Sequence, residues 1–175
     1  MALLEALYNS WFRPELGRPT MPVAVASLGL VCLVLSLNAV AFLGGTALDW
    51  LGWFFLFGLG LALGWFWLSA ALHTVALWLG GVGSVADTFA AVAQSLWPLL
   101  LTGAANSALN LSPSLGLLFS LAINAGVVVN LVRAVGREHQ LPGLRAVVCF
   151  GGAIVLVELA LLGLILWPLM VLLGM

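Results

Sequence analysis

Five apolar stretches dominate this chain, and each is too long for a soluble fold of this size to bury. They run from about Pro22 to Leu43, Trp50 to Leu79, Phe89 to Leu111, Ser114 to Val135 and Leu144 to Leu173. A hydrocarbon core about 30 Å thick needs roughly 20 consecutive apolar residues in a helix. Every stretch meets that length. Inside lipid, backbone N–H and C=O groups must pair within the protein, which favours helices for stretches like these. Composition agrees: 6% of residues are charged, against about 25% in a soluble domain. The sequence therefore predicts an all-α membrane protein, a compact bundle of about five transmembrane helices. Residues 20–175 form the bundle and 1–19 a separate leading segment.

That leading segment is amphipathic. Leu3, Leu4, Leu7, Tyr8, Trp11 and Phe12 recur at helical spacing, while Glu5, Asn9, Ser10 and Arg13 take the other face. The pattern predicts a short helix lying in the membrane interface, with no cleavable signal. Arginine position sets the orientation. Arg13 and Arg18 precede the first span, and Arg133, Arg137 and Arg145 flank the link between the fourth and fifth. Four crossings separate the groups, so both fall on one side, which the positive-inside rule makes cytoplasmic. The C-terminus is then expected outside, in a bacterial inner or internal membrane. The second span is long enough to require tilt, and the second and fifth could each contain a bend.

Glu158 stands alone among apolar residues. It lies ~21 Å along the fifth span at the helical rise, with Asn106 ~25 Å along the third and Asn38 ~24 Å along the first. Asn124 lies ~14 Å below the outer end of the fourth. These four residues are expected to form one polar layer, with Ser95, Thr102, Asn106 and Asn110 sharing a face of the third span that points inward. Glu158 is expected to be protonated there, as no arginine or lysine reaches that level. The layer serves either as interhelical glue or as a proton or polar-substrate site. Gly60 and Gly64 form a small-xxx-small pair read as internal packing.

Little chemistry is visible. The two cysteines, Cys32 and Cys149, fall in apolar runs and read as reduced packing residues. With two scattered histidines they show no metal-ligand spacing, and no nucleophile or phosphate-loop motif is present. Neither an enzyme nor a cofactor is expected, and the net charge of −1 gives no reason to expect nucleic acid. Gly80, Gly81 and Gly83 read as a tight turn between the second and third spans, with Ser84 or Asp87 capping the next helix.

Residues 73 to 103, HTVALWLGGVGSVADTFAAVAQSLWPLLLTG, resemble the signature of the Yip family of Ypt/Rab-interacting membrane proteins. In that signature a histidine-bearing helix end leads to a Gly-Gly-x-Gly-Ser turn and then a Ser-x-x-Pro-Leu-Leu segment. Here these are His73, Gly80, Gly81, Gly83, Ser84, Thr88, Ser95, Pro98, Leu99 and Leu100. LVRAVGREHQLPGLRAVV is similar to the family's link before its last span, through His139, Arg145 and Ala146. The resemblance implies a five-helix bundle with a cytosolic N-terminus, and partners among membrane proteins. Rab-type GTPase binding is not expected to transfer, since family members carry a substantial hydrophilic region where this chain has residues 1–19. The leading expectation is a non-enzymatic protein that organises the membrane or binds lipids and other membrane subunits. Arg133, Arg137, His139 and Arg145 would carry the cytoplasmic interaction. The alternative is a small transporter or channel using the layer around Glu158, with Pro98 kinking the third span.

Overall fold

A computed structural model describes residues 5, 6, 8, 9, 11 and 20–172. The described residues of the leading segment are helical, and the rest of the expected amphipathic helix lies outside the described residues. Six α-helices follow: α1 (Met21–Leu43), α2 (Ala47–Trp78), α3 (Val85–Ser95), α4 (Thr102–Leu111), α5 (Pro113–Glu138) and α6 (Gly143–Leu172). A 3-10 turn, Trp97–Leu101, joins α3 to α4. The third span, Val85–Leu111, is thus two helices and a turn, and among the described residues five segments are long and apolar enough to cross a membrane. The chain is a multi-pass, all-α membrane protein. Both long spans, α2 and α6, run unbroken.

Sequence chemistry explains the breaks. Proline 98 has no N–H to offer the Gln94 carbonyl, so the α-helix stops and the chain tightens into the 3-10 turn. A 3-10 turn has about 3.0 residues per turn, not 3.6, so it rotates everything beyond it. The face expected to join Ser95 to Asn110 is split for this reason. Ser95 is buried, Thr102 and Asn106 are half-buried, and Asn110 is exposed. At helix starts, Thr46 and Asp49 form a reciprocal capping box on α2. Ser84 caps α3 by accepting the Asp87 N–H at 3.1 Å.

The second and fourth spans end alike. Gly80 takes φ +88° and Gln140 takes φ +56°, both left-handed. Just beyond, the Gly81 N–H reaches back to the Ala76 carbonyl and the Leu141 N–H to the Gly136 carbonyl, each at 2.8 Å. These are two Schellman endings side by side. They lie at the end of the bundle that also carries Arg133, Arg137 and Arg145.

Packing follows the membrane rule that small residues bring helices together. Fully or nearly buried positions include Ala24, Ser27, Ser36, Ser69, Ala76, Ala90, Ala93, Cys149 and Ala153, while Leu, Phe and Trp side chains crowd the outside. The third span is the most enclosed of the five and the fifth the least. Helix α3 packs against α1, α2 and α5, whereas α6 leans on α2 and α5.

Candidate functional site

The two sequence stretches that carry the family resemblance meet at one point. His139 caps α5 and is 1% exposed. Its Nδ1 accepts the Gly83 N–H at 3.2 Å, so the ring proton must sit on Nε2. That Nε2–H donates to Thr88 Oγ1 at 2.8 Å. The Thr88 hydroxyl sends its one proton to the Ser84 carbonyl, also at 2.8 Å. A carbonyl can only accept, so Thr88 is left to accept from both imidazoles. His73 Nδ1, at 3.3 Å from Thr88 Oγ1, is therefore protonated and donating. The bonding pattern fixes the neutral tautomer of His139 and the donor side of His73.

Backbone seals this node. The Val82 N–H bonds the His139 carbonyl at 3.3 Å. A Cβ at Gly81 would stand 2.8 Å from His139 Cβ, and one at Gly83 would stand 2.7 Å from the Glu138 carbonyl oxygen. Glycine is required at both positions because the turn lies directly on the histidine. Burial, and secondarily the nearby His73, holds His139 below the ordinary histidine value of 6.5. Both ring nitrogens of His139 are occupied, so it offers no free lone pair to a substrate or metal. The node is a staple that joins spans two, three and four.

This overturns one expectation. His139 does not belong to an interaction surface with the arginines, because its ring is enclosed by the Gly81–Gly83 turn. Arg133, Arg137 and Arg145 are exposed, with Arg137 Nε 3.1 Å from Glu138 Oε1.

The layer around Glu158 also does not assemble. Asn38 donates to Thr102 Oγ1 at 3.0 Å, tying the first span to the third just beyond the 3-10 turn. Asn124 donates to the Ser120 carbonyl of its own helix at 2.8 Å and is exposed. Asn106 is half-buried. Glu158 is exposed and has no hydrogen-bond partner among the described residues. The reason is helical phase. Among the described side chains of α6, Ala146, Cys149 and Ala153 are buried, and at ~100° per residue Glu158 falls on the opposite side. Among the described residues, the buried polar atoms Ser69 Oγ and Gln94 Nε2 lack partners. Both stand ~13 Å from the arginine end of their helices, well short of the Glu158 level.

Other polar pairs were not anticipated. Trp50 Nε1 donates to Ser36 Oγ at 3.0 Å, and Trp65 Nε1 donates to the Phe89 carbonyl at 2.8 Å. The spacing of Trp65, Ser69 and His73, four residues apart on α2, was the available signal for the face that meets α3. Gly60 and Gly64 also depart from expectation. A Cβ at either would meet nothing within 4 Å, and both line an apolar groove of about 370 Å³ with Leu35, Trp65, Val92 and Leu96. The close approach of α2 to α1 occurs instead at Gly58, where a Cβ would lie 3.6 Å from Cys32 Sγ. Cys32 and Cys149 are free and buried.

Comparison of the chain with known protein families, with curated proteins and with solved structures returned no match.

Proposed function

We propose that this protein is a non-enzymatic, Yip-like membrane component that associates laterally with another membrane protein through the outward face of α6. The observation that carries this reading is Glu158, a carboxyl set mid-span on the side of the helix that faces away from its own bundle. A charged group at such depth costs about 2.5–3.5 kcal/mol on insertion scales. A neighbour that hydrogen-bonds it removes much of that cost. The resemblance to the Yip family supports the same class of function, since its two signature stretches build one structural node here. In this reading the N-terminus is cytoplasmic and the C-terminus outside, in a bacterial inner or internal membrane. Arg133, Arg137 and Arg145 contact anionic headgroups there. Transport through Glu158 fits less well, because a conducting path needs the carboxyl to face the interior.

Native mass spectrometry of the protein extracted from its own membrane in mild detergent tests the proposal. The expected result is a reproducible protein companion with wild type that is lost with Glu158→Leu. A chain that carries lipid alone in both forms would reject lateral association. Proton or solute flux in reconstituted vesicles that disappears in Glu158→Gln would replace it with transport.

A further inference from the structure

We infer that the neighbour met by the α6 face is a second copy of this chain, with the two Glu158 side chains hydrogen-bonded to each other as neutral acids. This rests on the lateral-association reading above and names its partner.

The argument begins with what the chain withholds from Glu158. Arg133, Arg137 and Arg145 lie at the far end of the bundle, and by the helical rise Glu158 stands ~22 Å from Gly143, where α6 begins. Asn124 on the adjoining span stands at a similar level, ~21 Å from Glu138, but it gives an N–H to the Ser120 carbonyl of its own helix and makes no bond to Glu158. The glutamate stem is too short to reach the headgroups as lysine and arginine do. A neutral carboxyl costs less in hydrocarbon than a charged one, but it still needs a donor and an acceptor.

A second copy supplies both with no further requirement. Two identical chains inserted in the same direction place their Glu158 residues at identical depth. A two-fold axis along the membrane normal brings α6 against α6, and a side chain on that axis meets itself. Each neutral acid has one O–H donor and a carbonyl acceptor. Two reciprocal O–H···O bonds then satisfy both groups, and no net charge is buried. A different partner offering lysine or arginine at this depth would carry its own insertion cost.

The rest of the face suits such a contact. Gly151, two helical turns before Glu158 on the same side, would place a Cβ in open space, so another backbone can approach closely. Val155 and Leu162, about one turn before and one turn after Glu158, are exposed and provide apolar packing.

The chain has five basic residues, all of them arginine, so an amine-reactive dye labels only the N-terminal amine. Single-molecule photobleaching of the purified, labelled protein in phosphatidylcholine liposomes, over a series of protein-to-lipid ratios, reads the pairing. Wild type and Glu158→Gln, which keeps a donor and an acceptor, should bleach in two steps at low density. Glu158→Leu should need roughly ten-fold higher density for the same paired fraction, the scale expected for one or two intramembrane hydrogen bonds. Gly60→Leu, on the α2 groove, should pair like wild type. Pairing unchanged in Glu158→Leu, or abolished by Gly60→Leu, overturns the proposal. So does a wild type that is monomeric at every density. If that monomer still captures a different protein from its own membrane through Glu158, lateral association stands and only the second copy is rejected. If it captures nothing, both fall.

Discussion

The arginine end of the bundle and the middle of the fifth span treat polar groups in opposite ways. At the arginine end two imidazoles, a hydroxyl, a carbonyl and an amide close on one another through Thr88, and glycine backbone covers them. Along α6 the carboxyl of Glu158 faces outward with no partner among the described residues. Both groups are costly in a membrane. The first is satisfied by the fold itself. On the proposed reading, the second is met by something outside the chain. The closed node would then hold the bundle together, and the open carboxyl would mark the surface on which it acts.

The sharpest way to break this contrast is to push on the closed region. In Gly83→Ala the new Cβ would stand 2.7 Å from the Glu138 oxygen and 2.9 Å from His139 Nδ1. Neither neighbour can yield without opening the node. A loss of about 3 kcal/mol is expected, at the upper end for overpacking, measured by denaturant unfolding in detergent micelles. Gly151→Ala on α6 meets open space and should leave unfolding unchanged. Equal effects at the two glycines would erase the distinction.

Next in size is Thr88→Val, which keeps shape and removes the hydroxyl. The Nε2–H of His139 and the Nδ1–H of His73 would then lose their shared acceptor. Buried donors left unpaired cost about 1–3 kcal/mol. Thr88→Ser should recover most of the loss, because it restores the acceptor. A silent Thr88→Val would mean that the hydroxyl does not join the histidines.

Much of this architecture can be read from residues alone, but to different depths. Span number and limits followed from apolar length, since hydrocarbon thickness leaves few choices. Pro98 announced the break in the third span, for want of an N–H. The change of face beyond it was hidden, because a proline does not say whether the helix kinks or tightens into a 3-10 turn. The level of Glu158 could be counted, but its direction was misjudged. Polar side chains were assumed to turn inward, while the small residues Ala146, Cys149 and Ala153 already marked the packing face of α6. The node was half visible. His73, Gly80, Gly81, Gly83, Ser84 and His139 were singled out within their own stretches. Contact between two segments so far apart in the chain belongs to tertiary structure and leaves no local signal.

Acidity tests the closed region more gently. The neutral form of His139 is the one the node accepts, since a proton on Nδ1 would face the Gly83 N–H. Its titration is held below the ordinary value of 6.5 by burial and by His73. The unfolded chain therefore binds the proton first, and stability falls as pH drops below about 6.5 and is fully present above it. His73 lies across the node, and Asp87 accepts from the Ser84 hydroxyl at 2.7 Å. The measurement is unfolding in micelles at a series of pH values. His139→Asn should flatten the slope, while a slope unchanged in that variant would assign the acid sensitivity elsewhere.

The smallest expected effect is the one that decides the open region. Glu158→Leu replaces an outward carboxyl with an outward apolar side chain, and no contact within the described residues is lost. The stability of the isolated bundle, measured in micelles at high dilution, should change by no more than about 0.5 kcal/mol, as for surface positions in general. In a bilayer the leucine should insert at least as readily, because it has no polar group to satisfy. A loss comparable to that of Thr88→Val would mean that Glu158 is satisfied inside the bundle after all, and the contrast between the two regions would collapse. A neutral result, together with loss of association, would separate folding from function within one residue: the carboxyl contributes nothing to the bundle and is retained for what it meets outside it.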